Sequence, residues 1–122
     1  VWGLAFKPNT DDIREAPALA IIEELLKEGA SVTAFDPEAM ANVKKIFGDK
    51  IVFANGQYEA IKDCHALIVA TEWNEFRTPD FERMVSLMKN KVIFDGRNVY
   101  EPGMMRDLGF HYESIGRGTF KS

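Results

Sequence analysis

Three cationic side chains lie in polar segments that follow apolar runs of the sequence, and they could bind an anionic ligand. Lys7 follows the run at 1–6, Arg14 lies seven residues further on, and Arg97 follows the run at 92–95. Arginine presents a planar fork of N–H donors to phosphate oxygens, and lysine presents a compact charge, so the three predict a phosphate or diphosphate site. The alternative is that neighbouring carboxylates neutralise them: Asp11, Asp12, Glu15 or Glu72. The residue types alone leave both interpretations open.

The overall charge limits what else the chain can bind. Its 122 residues carry a net charge of −4, which argues against nucleic acid or an anionic membrane as the main partner. No apolar run approaches the ~18 residues of a membrane span. The single cysteine, Cys64, excludes an internal disulfide and predicts a reducing, cytoplasmic compartment.

Short apolar runs alternate with amphipathic segments along the chain. The predicted strands are 1–6, 32–35, 51–54, 66–71, 92–95 and 110–115. The predicted helices are 17–28, 38–47, 57–62, a segment starting at Pro79, and 102–108. This alternation predicts a Rossmann-like, doubly wound α/β fold with three layers, α/β/α, around one parallel six-stranded sheet of order 3-2-1-4-5-6. The domain is expected to span 1–116, followed by a tail at 117–122.

In such sheets a ligand binds at the carboxyl ends of the strands, near the point where the strand order reverses. A dinucleotide site would have the glycine pattern G-x-G-x-x-G after the first strand, but Gly3 is the only glycine in this part of the sequence. We therefore do not expect a dinucleotide to bind there in the usual way. Asp36, at the end of the second strand, resembles the acid that binds ribose in that fold. Without the glycine loop, a turn-forming role before Pro37 is favoured.

Other candidate residues carry weaker signals. Cys64 has no base beside it and is expected to be a small, partly buried apolar side chain. His65 and His111 lack ligand spacing with each other or with Cys64, so no metal site is predicted. No nucleophile–base pair is visible, and no catalytic residue is therefore assigned.

Three motifs, in order along the chain, resemble those of one domain family. They are GLAFKPNTDDIREAP at 3–17, TEW at 71–73 and FDGRNV at 94–99. They are similar to the C-terminal, UDP-binding domain of the UDP-glucose/GDP-mannose dehydrogenases, most of all to the bacterial members that act on UDP-glucose. The resemblance covers essentially the whole chain.

The resemblance implies a function and roles for individual residues. Members of the family oxidise the C6 alcohol of a nucleotide sugar to the carboxylate with NAD, which is held mainly by an N-terminal Rossmann domain. A central region carries the catalytic cysteine and mediates assembly into a homodimer or a larger oligomer; Cys64 does not match its motif. By similarity, Phe6, Lys7 and Arg97 contact the UDP-sugar, and Arg14 reaches across the cleft to NAD.

Two further expectations concern the chain as a whole. Because Val1 falls inside an apolar segment, we expect a piece of a longer enzyme that is inactive alone and whose remaining domains are its partners. The alternatives are a stand-alone nucleotide-binding regulatory or interaction domain without catalysis, or part of a dehydrogenase for UDP-N-acetylmannosamine or GDP-mannose.

Overall fold

The structure is a computed structural model that describes residues 1–114. Within them, short parallel strands alternate with helices. The strands are β1 (Thr33–Ala34), β2 (Val52–Phe53), β3 (Leu67–Val69), β4 (Val92–Asp95) and β5 (His111–Ser114). The helices are α1 (Pro17–Lys27), α2 (Met40–Phe47), α3 (Gln57–Ile61), α4 (Asn74–Arg77), α5 (Phe81–Leu87) and α6 (Pro102–Asp107), with a 3₁₀ turn at Gly48–Lys50.

The strands form two small parallel sheets, which meet at Trp2. One sheet pairs β1 with β2, and the other has the order β3-β4-β5. Trp2 makes a single parallel bridge to Phe35 on one side and to Val69 on the other. The sequence β2-β1-Trp2-β3-β4-β5 therefore follows the predicted strand order, with Trp2 in the place of the first strand.

The prediction of one six-stranded sheet is wrong, because residues 1–6 do not continue as a strand beyond Trp2. Gly3 adopts φ +98°, a left-handed conformation that ends the extended run. The backbone N–H groups of Leu4 and Ala5 then donate to the side chain of Asp36 instead of to a neighbouring strand. Strand formation is thus replaced by contacts to a residue about thirty positions away.

Most helices lie where they were predicted, but α2 begins at Met40, two residues after its predicted start, and α5 and α4 also differ from the prediction. α5 begins after Asp80, whose carboxylate accepts a 3.1 Å hydrogen bond from the N–H of Arg83, so the predicted start at Pro79 is slightly early. α4 was not predicted, because a four-residue helix is too short to show a helical period. It buries Phe76, whose ring stacks on Trp2 with 5.1 Å between the centroids.

Two apolar clusters cover the sheets. Phe35 and Val69 belong to one cluster, and the adjacent strand residues Ala34 and Ala70 belong to the other. Because successive residues of a strand point to opposite faces, the clusters lie on opposite faces of the sheets. α1 and α2 contribute to the cluster of Ala34, and α3 to α6 contribute to the cluster of Phe35. Helices therefore pack on both sides of parallel strands in a mixed α/β architecture.

Two sequence-based expectations concern residues beyond position 114, which the structure does not describe. They are the predicted tail at 117–122 and the last residue of the predicted final strand. Among residues 1–114, no helix has the length and apolar character needed to cross a bilayer.

Candidate functional site

The carboxylate of Asp36 fixes the end of β1 and the segment after Trp2. Its two oxygens accept five hydrogen bonds, from the backbone N–H groups of Leu4, Ala5, Glu38 and Ala39 and from the indole N–H of Trp73. Asp36 is fully buried, and these donors exceed the roughly four lone-pair sites of a carboxylate. No acceptor capacity is left for a ribose hydroxyl, so Asp36 is a structural turn residue.

The same segment is also bound to the end of β3. The hydroxyl of Thr71 donates a 2.7 Å hydrogen bond to the carbonyl of Ala5. Gly3 lies so close to Thr71 that an added Cβ would stand 2.5 Å from the Thr71 Cβ. Only glycine fits this approach, which brings the loop after residue 5 against the loop after β3.

A second buried carboxylate, that of Asp95, shapes the loop after β4. It accepts hydrogen bonds from the backbone N–H groups of Arg97, Val99 and Tyr100 and from the hydroxyl of Tyr112, at 2.6 to 3.1 Å. The N–H of Gly96 donates at 2.9 Å to the carbonyl of Val69, which attaches this loop to the end of β3. The backbone of Arg97 is therefore held in a fixed place beside the loop that follows β3.

Arg97 forms an ion pair with Glu72 at this edge. One Nη2–Oε2 contact of 2.9 Å joins the side chains, which are 31% and 22% exposed. Burial alone would raise the pKa of Glu72, but the hydrogen bond and charge of Arg97 outweigh it and hold that pKa below its ordinary value. The other carboxylate oxygen, Oε1, is buried and has no hydrogen-bond partner within residues 1–114.

The loop that follows residue 5 exposes the other predicted ligand contacts. The side chain of Phe6 is 46% exposed, although its backbone N–H donates at 2.8 Å to the carbonyl of Asp12. Lys7 is exposed and has no ion pair in the described part of the chain. Asn9 and Glu15 adopt left-handed φ values of 65° and 57°, a conformation that is uncommon outside glycine and is often found at functional loops.

Arg14 lies on the surface and is held by Asp12. Nε and Nη2 of Arg14 contact the two carboxylate oxygens of Asp12 at 3.1 and 2.9 Å, while the Arg14 side chain is 87% exposed. This fork lowers the pKa of Asp12 from 3.8 to about 2, mainly through the side-chain hydrogen bonds. The guanidinium is thus oriented in a defined direction on an open surface.

Two of the carboxylate pairings that the sequence left open are present: Arg14 with Asp12 and Arg97 with Glu72. Among the described residues, Arg14, Arg97 and Lys7 share no carboxylate partner that would bring them together. The expected turn-forming role of Asp36 before Pro37 agrees with its hydrogen bonds from the N–H groups of Glu38 and Ala39. Sequence reasoning missed the similar role of Asp95, although an aspartate at the end of an apolar strand and before glycine is typical of side-chain-capped turns.

The remaining candidates lie apart from this edge. Cys64 precedes β3 at the opposite end of the strand, packs against the apolar core, and has its pKa raised by burial. In residues 1–114, no three His, Cys, Asp or Glu side chains are grouped so that they could hold a metal ion.

Parallel strands covered by helices on both faces define the class of open α/β domains, in which ligands bind at the carboxyl ends of the strands. The family model described as UDP-glucose/GDP-mannose dehydrogenase family, UDP binding domain, matches residues 1–102. The chain belongs to this family.

Relatives and solved structures agree with the family match. The UDP-glucose 6-dehydrogenase of Pseudomonas aeruginosa is 44% identical over 122 residues, which cover 96% of this chain and 27% of that enzyme. The UDP-glucose 6-dehydrogenase of Rhizobium meliloti is 47% identical over 117 residues, covering 96% of this chain and 26% of that enzyme. This chain therefore spans about a quarter of the length of these curated relatives.

Two solved structures extend the comparison. A UDP-glucose dehydrogenase from Pyrobaculum islandicum is 35% identical, with a TM-score of 0.70 over 80% of this chain and 21% of that one. An NDP-N-acetyl-D-galactosaminuronic acid dehydrogenase from Methanosarcina mazei is 27% identical, with a TM-score of 0.78 over 99% of this chain and 25% of that one. Both support a Rossmann-like dehydrogenase fold.

Proposed function

We propose that this chain is the C-terminal, UDP-sugar-binding domain of an NAD-dependent dehydrogenase that oxidises UDP-glucose to UDP-glucuronate. The domain spans 1–116, and the rest of the enzyme supplies the NAD site, the catalytic residues and the contacts for a homodimer or larger oligomer. The observation that carries the proposal is the sequence identity of 44–47% to two UDP-glucose 6-dehydrogenases. The cationic side chains at the carboxyl ends of the strands agree with it. The cytoplasmic location stays a prediction.

The substrate contacts are assigned to three residues on two loops. Ala5 accepts a hydrogen bond from Thr71, and Lys7 follows Ala5 by two residues. Arg97 pairs with Glu72, the residue after Thr71. These contacts support a diphosphate bound between Lys7 and Arg97, with the exposed ring of Phe6 beside it.

Arg14 is assigned to NAD rather than to the UDP-sugar. Its side chain is 87% exposed and is aimed by the two contacts to Asp12, so that it could meet a neighbouring domain across a cleft. Asp12 occupies the Nε and Nη2 edge of the guanidinium, and the edge that includes Nη1 can still donate to phosphate oxygens. NAD would be held mainly outside this domain, since the loop after Gly3 lacks the glycine pattern of a dinucleotide site.

The experiment is a titration of the 122-residue chain with UDP, followed by amide NMR shifts. Half of the proposed cleft is contributed by other domains, so we expect millimolar affinity, which corresponds to about −4 kcal/mol. Shifts should concentrate on Phe6, Lys7 and Arg97. Shifts confined to the opposite ends of the strands, near Cys64, would contradict the site. With UDP-glucose and NAD⁺ the chain alone should form no NADH above a buffer blank.

A second candidate is a dehydrogenase for another nucleotide sugar. The neighbour from Methanosarcina mazei and a UDP-D-ManNAc dehydrogenase from Pyrococcus horikoshii have TM-scores of 0.78 and 0.76 to this chain, above that of the Pyrobaculum islandicum UDP-glucose dehydrogenase. Comparing the kcat/KM of the full enzyme for UDP-glucose and UDP-N-acetylmannosamine decides between them.

A further inference from the structure

We propose that Glu72 is a positioning residue for nucleotide-sugar binding, which acts by holding the guanidinium of Arg97 in the orientation that binds the diphosphate. This inference rests on the proposed function. It assigns to Glu72 a role on the ligand side of the domain, although Glu72 carries the same sign of charge as the ligand.

The backbone on both sides of the pair is immobilised by buried contacts. Thr71 donates to the carbonyl of Ala5, and the indole N–H of Trp73 donates at 3.1 Å to Asp36, so Glu72 is fixed from both neighbours. The N–H of Arg97 donates at 2.9 Å to Asp95, which is itself fully buried. The ion pair therefore connects two rigid loops at the ends of the paired strands β3 and β4.

The pair uses only part of what Arg97 offers. Among residues 1–114, its guanidinium contacts Glu72 through Nη2 alone, and the side chain keeps 31% of its surface exposed. An arginine has five N–H donors in a rigid plane, so fixing one end of that plane sets the direction of the others. Within residues 1–114 no other side chain binds the remaining donors, and these can donate to phosphate oxygens.

Glu72 is held in the charged form that this role requires. The carboxylate is mostly buried, and Arg97 lowers its pKa despite the burial. Its Oε1 has no donor within residues 1–114, which is costly for a buried charged oxygen. One carboxylate oxygen, Oε2, suffices to orient one edge of the Arg97 guanidinium.

The test is a double-mutant cycle in the full-length enzyme, with Kd for UDP-glucose and for NAD⁺ and with kcat and KM. Glu72→Ala should weaken UDP-glucose binding about tenfold, with kcat and the NAD⁺ Kd changed less than twofold, because a misdirected guanidinium loses about one charge-assisted hydrogen bond. Glu72→Gln should recover part of this loss, since its amide oxygen still accepts from Arg97. In an Arg97→Ala background, Glu72→Ala should change binding less than twofold.

The matched control is Glu82→Ala on the exposed face of α5, which removes the same charge and should leave every constant unchanged. An equal loss with and without Arg97 would overturn the inference, because Glu72 would then act independently. Tighter UDP-glucose binding by Glu72→Ala would also overturn it, since Glu72 would be a competitor of the ligand. Wild-type enzyme that does not bind UDP-glucose would overturn the proposed function itself, and Glu72→Gln serves as the variant if Glu72→Ala fails to fold.

Discussion

The indole N–H of Trp73 donates a 3.1 Å hydrogen bond to Oδ2 of Asp36. Both side chains are buried, and they lie 37 residues apart in the sequence. This contact joins the loop after β3 to the end of β1, so that the loops at the carboxyl ends of both small sheets form one connected surface. The placement of the candidate ligand contacts depends on that connection.

Asp36 is expected to be one of the most sensitive positions of the chain. Asp36→Ala leaves several buried N–H donors without an acceptor, and each such donor costs about 1–3 kcal/mol, so we expect a loss of at least about 3 kcal/mol in the free energy of unfolding. Asp36→Asn should cost nearly as much, because its NH₂ group would face N–H donors. Urea denaturation measures both.

The control for Asp36 is Asp49→Ala, which removes an exposed aspartate and should change the free energy of unfolding by no more than about 0.5 kcal/mol. If Asp36→Ala cost no more than this control, the five hydrogen bonds would not be decisive for the fold.

Gly3 and Gly29 offer a matched pair of substitutions. Both have positive φ, +98° and +86°, but a Cβ on Gly3 would meet Thr71 at 2.5 Å, while a Cβ on Gly29 would meet nothing within 4 Å. Gly29→Ala should cost about 1–2 kcal/mol through backbone strain alone. Gly3→Ala should cost about 1–3 kcal/mol more, because the overpacked backbone must also shift. Equal losses in urea denaturation would show that the close approach to Thr71 is not constraining.

The ion pair between Asp12 and Arg14 predicts a specific pH dependence. The folded-state pKa of Asp12, about 2, lies below its ordinary value of 3.8, so this pair stabilises the fold above pH about 4. Its contribution is lost as the pH falls from there through 2. Carboxyl NMR titration should give a midpoint near 2, and Arg14→Ala should move that midpoint back towards 3.8.

Salt provides an independent check on Asp12, because an exposed pair is strongly screened at 1 M ionic strength. The midpoint should then rise in the wild-type chain and stay unchanged in Arg14→Ala. If neither the substitution nor the salt changed the titration midpoint of Asp12, Arg14 would not contact Asp12 in solution.

Much of the architecture could be predicted from local patterns. The period of apolar residues located α1 within one residue, and the run at 92–95 was placed as β4 without error, because a short apolar run of β-favouring residues bounded by turn residues is typical of a buried strand. The first strand could not be predicted correctly. Its length depends on Gly3 meeting Thr71 and on Asp36 capturing two N–H groups, contacts between residues more than thirty positions apart.

The candidate site divides in the same way. Residue types and motifs pointed to Lys7, Arg14 and Arg97, and to carboxylates that could pair with them. They could not decide which carboxylate each cation would choose. The pairing depends on backbone geometry. Arg14 pairs with Asp12, two residues before it in the same loop, whereas Arg97 pairs with the distant Glu72 because Asp95 fixes the backbone of Arg97.

The roles proposed for the three cations can be separated in the full-length enzyme by measuring Kd for UDP-glucose and for NAD⁺. Lys7→Ala and Arg97→Ala should each weaken UDP-glucose binding ten- to a hundredfold, because a charge-assisted hydrogen bond contributes roughly 1.5–3 kcal/mol, while NAD⁺ binding stays nearly intact. Arg14→Ala should do the reverse. Lys62→Ala, an exposed cation on the amino-terminal side of β3, is the control and should change neither constant. Equal loss of both ligands by all three variants, or lower melting temperatures without ligand selectivity, would contradict these roles and leave the ion pairs as purely structural.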